Sequence, residues 1–138
     1  VPFFLPPSMI CIQHTKARSL CQEKFDIFQG YTDDSSWARG QAWALYGYTM
    51  MYRETGMEEF LEAARNIGNM IMDRLPEDGI PYWDFDDPAI PEALKDASAG
   101  AIMASAFIEL STLTGDNRYM ETASTECHIH MLLRPLSL

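Results

Sequence analysis

Residues 55–64 read TGMEEFLEAA, and residues 114–123 read TGDNRYMETA. An offset of 59 residues aligns the two Thr-Gly pairs, an aromatic residue five positions after each threonine, and an alanine nine positions after it. Each unit consists of an apolar stretch of helical length, a Thr-Gly turn, an amphipathic stretch and a loop. Repeated helix pairs are typical of solenoids and of closed α/α toroids. The repeat therefore predicts an all-α fold with the apolar helices inside and the amphipathic helices packed outside them.

Start and stop signals divide the chain into four predicted helices. They cover residues 35–56, 57–75, 96–115 and 116–132, with a loop at 76–95 that holds four prolines and four aspartates. Ser35 or Ser36 is the predicted N-cap of the first helix and Gly56 its end, while Asp96 and Gly115 have these roles in the third. The third helix is small and apolar nearly all round, which predicts deep burial.

The composition is that of a globular protein, and it narrows the classes of partner. The 138 residues carry a net charge of −10, with 47% hydrophobic and 22% charged residues. An acidic chain is a poor nucleic-acid binder, and no apolar run reaches membrane-spanning length, so we expect neither nucleic acid nor a membrane as partner. The apolar N-terminus lacks the basic region of a signal peptide. Three cysteines form no paired framework, and the stretch CHIH at 127–130 matches no metal site.

The repeat also predicts that the chain supplies only part of a ring. A toroid of six helix pairs at this period needs about 350 residues, and the chain holds about two pairs. We therefore expect the chain to form part of a closed ring of helix pairs. The remaining barrel helices, carried elsewhere, are then an expected partner.

The stretch SSWARGQAW at residues 35–43 contains two tryptophans and a single charged residue, Arg39. Residues three and four apart share a helix face, so Ser36, Arg39, Gly40 and Trp43 form one face. Trp37 and Gln41 lie on another. A planar cation beside an indole suits a sugar acid, because arginine pairs with a carboxylate and tryptophan stacks on a pyranose ring. Gly40 would leave room between the two side chains.

An alternative reading of the same stretch is purely structural. Trp37 and Trp43 could be core residues, and Arg39 could form an ion pair with Asp33 or Asp34 ahead of the helix. The residues alone leave both readings open.

Two longer stretches resemble a known family. They are FQGYTDDSSWARGQAWALYGYTMMYRETG at 28–56 and PYWDFDDPAIPEALKDASAGAIMASAFIEL at 81–110, and they resemble the unsaturated glucuronyl hydrolases of glycoside hydrolase family 88. The similarity covers about residues 25–123, which implies a partial barrel in that range, an unassigned segment at 1–24 and a divergent tail at 124–138. Gln41 and Ala42 stand where the related rhamnogalacturonyl hydrolases tend to carry Asn-Gly, which favours the glucuronyl branch. The resemblance implies an (α/α)6 barrel.

The resemblance also implies an activity. The substrates are oligosaccharides with a 4,5-unsaturated uronic acid at the non-reducing end, and the family hydrates the vinyl ether instead of displacing a group at the anomeric carbon. No metal and no organic cofactor is implied. Carried onto this chain, the family pattern makes Gln29, Arg39 and Trp43 the substrate-binding residues, and it makes Trp37 a support on the opposite face.

No catalytic residue is assigned from the sequence. The family's acid/base aspartates lie in motifs ahead of the QGY stretch, and residues 1–24 do not resemble those motifs. Asp33 and Asp34 are weak candidates, because acids at a helix start also favour the dipole without any catalytic role. The family's histidine before QGY is missing from KFDIFQGY as well. The stretch YWDFDD at 82–87 either lines the rim of the site or pins the loop to the barrel.

Three functions follow as hypotheses. The first is a partial unsaturated glucuronyl hydrolase with little activity of its own. The second is a non-catalytic carbohydrate-binding or helical-repeat interaction module, and the third is assembly with a chain that carries the missing helices. The compartment, periplasmic or cytoplasmic, is undetermined, because an odd number of cysteines does not decide it.

Overall fold

A computed structural model describes residues 29–132, and for residues 126–132 it describes the helical backbone alone. The predicted all-α fold class is confirmed for this part of the chain, which has two isolated β-bridges and no strand. The helices are α1 (Ala38–Thr55), α2 (Glu58–Arg74), α3 (Ala97–Thr114) and α4 (Asn117–Leu132). The segments at 1–24 and 133–138, with Cys11 and Cys21, lie outside the described residues, as do the side chains of the 127–130 stretch.

The sequence repeat is a structural repeat. The inner helices α1 and α3 both have 18 residues, and their first residues are 59 positions apart. Both end at a glycine in the left-handed region, Gly56 at φ 67° and Gly115 at φ 71°, a conformation that glycine adopts without steric cost. Each threonine before the glycine donates its hydroxyl to a carbonyl one turn back, at 2.7 Å. The predicted Thr-Gly ends are therefore confirmed.

The two inner helices begin differently. The Asp96 side chain caps α3 by accepting from the amides of Ser98 and Ala99, as predicted. The predicted cap of α1 by Ser35 or Ser36 is wrong, because α1 begins after Trp37 and has no side-chain cap.

The loop between α2 and α3 explains the difference. The Ser35 hydroxyl bonds to Asp84 and the Ser36 amide to Asp86, so both serines are engaged by this loop. The first amide of α1, at Ala38, donates to the backbone carbonyl of Trp83 at 3.0 Å. A backbone carbonyl thus replaces the predicted side-chain cap.

The core forms where the helices meet. The inner helix α1 packs against α2 and α3, and α3 also packs against α4, as the predicted inner and outer layers require. Gly68 of α2 lies at the centre, where an added Cβ would approach Leu45, Phe107 and Tyr119 at 3.3–3.5 Å. The rings of Phe107 and Tyr119 stack at a centroid distance of 5.8 Å.

Burial of α3 is deep on two sides only. The sides that face α1 and α4 are buried, but Ala101, Ser105, Ile108 and Thr112 are exposed, so the prediction of burial nearly all round is wrong for this strip. Contrary to expectation, α3 is also long and apolar enough to cross a membrane by length and composition alone. A buried core helix meets the same criteria, and the packing of α3 against α1 and α4 is that of a core helix.

Candidate functional site

The turn ahead of α1 is held by a buried carboxylate. Asp84 is fully buried and accepts from the Tyr31 amide at 2.9 Å and from the Ser35 hydroxyl at 2.7 Å. A Cβ at Gly30 would lie 2.9 Å from the Ser35 Oγ, so glycine is needed for this close approach. The QGY stretch is therefore fixed to the loop that follows α2. Sequence reasoning missed Asp84, since it lies 53 residues from Tyr31 and its burial has no local signal.

The last residue of α2 holds the same loop. The Arg74 guanidinium donates to the Phe85 carbonyl at 2.7 Å and to the Asp86 carboxylate, and it lies 5.4 Å from the centre of the Phe85 ring. Burial favours a raised pKa of Asp86, but the hydrogen bonds from Arg74 and from the Ser36 amide outweigh it and hold that pKa below its ordinary value.

The stretch at 82–87 pins the loop to the helices. Tyr82 and Phe85 are buried with Asp84, and Trp83 is half-buried with its indole N–H bonded to Asp87. These contacts support the loop-anchor reading of the two that the sequence left open.

The exposed face of α1 carries the arginine and the tryptophan predicted to bind sugar. The Arg39 side chain is 47% exposed, and Trp43, one turn later, is 54% exposed with its ring edge-on to Tyr46 at 6.1 Å. Gln41 and Ala44 are buried on the opposite face. Trp43 is therefore not a core residue of the described structure.

Gly40 makes room for a different indole from the one expected. A Cβ there would lie 3.1 Å from Cε3 of Trp37, and Gly40 is buried. The prediction that Gly40 opens a space between Arg39 and Trp43 is therefore wrong. Trp37 is half-buried, and the Arg39 guanidinium lies over its ring, 5.8 Å from the centre. The indole therefore packs against the arginine side chain.

Arg39 pairs with the carboxylate that caps α3. Its Nε and Nη2 donate to Oδ2 of Asp96 at 3.0 and 2.8 Å, and Asp96 is 7% exposed. Burial alone would raise the pKa of Asp96, but hydrogen bonds from Ser98, Ala99 and Arg39 hold it below its ordinary value. The sequence indicated the cap and missed the ion pair, because the partners lie 57 residues apart.

The remaining predicted residues lie in the turn at 29–34. Gln29, Asp33 and Asp34 are all exposed there, on the segment that Asp84 anchors. Among residues 29–125, whose side chains are described, no group of three or more His, Cys, Asp or Glu residues could hold a metal ion. The arrangement offers a cation, a flat apolar ring and a polar turn, which are groups that bind an acidic sugar.

Comparison with curated proteins finds relatives named as unsaturated glucuronyl hydrolases or unsaturated chondroitin disaccharide hydrolases. An unsaturated glucuronyl hydrolase of Formosa agariphila is 50% identical over 101 residues, which are 72% of this chain and 25% of that protein. An unsaturated glucuronyl hydrolase of Bacillus sp. strain GL1 is 38% identical over 102 residues, 70% of this chain and 27% of that protein. An unsaturated chondroitin disaccharide hydrolase of Streptococcus pyogenes is 35% identical over 108 residues, 78% of this chain and 27% of that protein. No protein-family model matches the chain.

Solved structures agree with the sequence comparison. An unsaturated glucuronyl hydrolase specific for heparin superposes with a TM-score of 0.72 at 44% identity, over 75% of this chain and 29% of that one. A mutant enzyme of Streptococcus agalactiae in complex with dGlcA-GalNAc6S superposes with a TM-score of 0.65 at 28% identity, over 84% of this chain and 31% of that one. The predicted fold class, helix hairpins that form part of an (α/α)6 barrel, is thereby confirmed. The chain spans about a quarter of the length of the curated relatives it matches.

Proposed function

The chain is similar in sequence and in fold to part of the unsaturated glucuronyl hydrolases of glycoside hydrolase family 88, and from this relationship we propose that it serves the same reaction. The substrate would be an oligosaccharide with a 4,5-unsaturated uronic acid at its non-reducing end. A proton adds to C4 of the double bond and water adds to C5, beside the ring oxygen, giving a hemiketal. Opening of the ring at C5 leaves a hemiacetal at C1, and its collapse to an aldehyde releases the neighbouring sugar as an alcohol. Residues 25–123 would supply part of the barrel wall.

One observation carries this proposal. Arg39 and Trp43 are exposed on the same face of α1. A tryptophan in the core would be buried, and an ordinary solvated helix face rarely carries one. Arg39 would hold polar groups of the uronate, and Trp43 would stack on a ring. Gln29 would contact the sugar from the turn that Asp84 fixes.

The proton donor is a separate question. Asp96 touches Arg39, but its lowered pKa keeps it ionised near neutral pH, so it is a poor general acid. Asp33 and Asp34 remain the weak candidates within the described residues. We therefore expect the 138-residue chain to bind the unsaturated sugar and to turn it over slowly or not at all.

The test separates binding from turnover. Titration calorimetry with a 4,5-unsaturated uronyl disaccharide should give binding that weakens at least about tenfold in Arg39→Ala and in Trp43→Ala, the loss expected when a charge-assisted or stacking contact is removed. Arg118→Ala, at an exposed arginine of α4, is the matched control and should bind like the wild type.

Loss of the substrate's ultraviolet absorbance reports turnover in the same samples. Rapid loss would overturn the expectation of low activity and make Asp33→Asn and Asp34→Asn the next variants to assay. Absence of any binding would overturn the sugar site itself.

The exposed site also supports a second candidate, a carbohydrate-binding module without catalysis. Arg39 and Trp43 can hold a sugar whether or not a proton donor stands beside them. Binding without turnover, together with a cooperative thermal transition of the chain, would favour this reading. A transition without cooperativity and with dye-binding apolar surface would count against an independent module and favour assembly with further barrel helices.

A further inference from the structure

We propose that Asp96 is the positioning residue for Arg39, fixing its guanidinium in the orientation that receives the uronate. This inference rests on the proposed sugar site. It assigns to the residue that caps α3 a second role, in the binding face of α1.

The two oxygens of Asp96 have separate partners. Oδ1 accepts from the Ser98 amide at 3.0 Å, the Ser98 hydroxyl at 2.6 Å and the Ala99 amide at 3.0 Å. Oδ2 accepts from Nε and Nη2 of Arg39 at 3.0 and 2.8 Å. Because the first turn of α3 holds Oδ1, the carboxylate cannot rotate, and the direction of Oδ2 is set by the helix.

Asp96 pairs with one of the edges through which the Arg39 guanidinium can donate two hydrogen bonds. Arginine has five N–H donors in a planar fork. The Nε and Nη2 edge meets Asp96, and Nη1 takes no part in that pairing. The Nη1 and Nη2 edge can therefore pair with a carboxylate of the ligand through two parallel hydrogen bonds. Trp43 lies one turn further along the same face.

Two further contacts restrain the arginine. Its guanidinium lies over the Trp37 ring, and Gly40 lets that ring pack close to α1. Asp96 thus restrains the guanidinium through hydrogen bonds, and Trp37 restrains it through contact with its ring. A half-exposed arginine without these two contacts would sample many rotamers, and ligand binding would have to bear the entropy cost of ordering it.

Asp96→Asn separates the two roles of the residue. Asparagine is an N-cap as good as aspartate, so its single oxygen can keep the cap of α3. Its amide nitrogen would then face the Arg39 donors and could not accept from them. Asp116 is the matched control, since it also precedes a helix, accepts from the Arg118 amide and forms an ion pair with the Arg118 side chain.

The experiment compares Asp96→Asn and Asp116→Asn in the 138-residue chain. We expect disaccharide binding to weaken about tenfold in Asp96→Asn, the loss of one charge-assisted contact, while the thermal transition of the variant stays cooperative. Asp116→Asn should leave binding unchanged. Equal binding by Asp96→Asn and the wild type would overturn the proposal, as would equal weakening in both variants.

A readout without ligand keeps the inference independent of the proposed function. The Nε–H resonance of Arg39 in ¹H–¹⁵N spectra should be slowly exchanging in the wild type and should shift and exchange rapidly in Asp96→Asn. An unchanged resonance would overturn the positioning role. If the wild-type chain binds no unsaturated disaccharide but the resonance responds as expected, the proposed function fails while the orientation of Arg39 by Asp96 stands.

Discussion

Three carboxylates in the loop at 76–95 and at the start of α3 are held in their ionised form by cationic partners. Asp96 pairs with Arg39, Asp86 with Arg74, and Asp78 with Lys95. For each, burial works to raise the pKa, yet the hydrogen bonds from the partner and from nearby donors hold it below the ordinary value of 3.8. These carboxylates fix the loop at 76–95 and the start of α3.

These lowered pKa values predict acid sensitivity. A carboxyl group whose pKa is lower in the folded protein stabilises it above the unfolded value, and that contribution is lost as pH falls through the folded pKa. The free energy of unfolding should therefore be steady near neutral pH and fall from about pH 4 downward. Urea denaturation between pH 7 and pH 3 measures this.

Asp96→Asn is the comparison for the acid range. Its unfolding free energy should fall less steeply below pH 4 than that of the wild type, because one of the three groups no longer titrates. A wild-type protein equally stable at pH 7 and pH 3 would contradict the pairings.

At the scale of elements, the Thr-Gly turn ends both inner helices with the same geometry. Gly56 donates to the Tyr52 carbonyl and Gly115 to the Ser111 carbonyl, each at 2.8 Å. An added Cβ at either glycine would meet nothing within 4 Å, so the constraint is the positive φ and not the space. The turn was readable from the sequence because backbone conformation depends on the residue itself.

Substitution of the turn glycines tests that reasoning. Gly56→Ala and Gly115→Ala should each destabilise the protein by about 1 kcal/mol, since alanine is strained at positive φ. Gly47→Ala is the matched control. It lies inside α1 with open space around it, and alanine should there stabilise the helix by up to about 1 kcal/mol. Chemical denaturation of the three variants gives the comparison, and equal effects at all three sites would refute a role for backbone conformation.

For the whole molecule, the decisive feature is the meeting of four helices at Gly68. Leu45 of α1, Phe107 of α3 and Tyr119 of α4 all lie within about van der Waals reach of that position, and all three are buried. The two repeats thus share one core. Neither helix pair buries its apolar side chains alone.

A truncation in this core should weaken the whole molecule. Phe107→Ala should lower the free energy of unfolding by about 3–5 kcal/mol, because it removes a buried ring and leaves a cavity against Tyr119. Ile108→Ala, next along α3 and exposed, should cost less than about 1 kcal/mol. Urea denaturation measured by circular dichroism distinguishes the two. Similar losses in both variants would show that the described core is not the one that holds the protein together.

The sequence by itself determined what depends on local chemistry and periodicity. Helical spacing predicts helices α1 and α3 and the repeat of 59 residues. Backbone preferences predict the glycine ends of these two helices and the Asp96 cap of α3. It was also predictable that Arg39 and Trp43 lie on one face of α1, since residues four positions apart share a face of any helix that contains them.

Only the tertiary structure decided the contacts between distant segments. The hydroxyl of Ser35 and the amide of Ser36 bond to carboxylates of the loop that follows α2. Arg39 pairs with Asp96, and Asp84 is buried under the turn that carries Gln29. The tertiary structure also placed Trp37, and not Trp43, against Gly40. Each of these contacts joins residues about 50 or more positions apart or depends on which side of a helix is covered, and no local rule encodes which of several nearby carboxylates a given donor will meet.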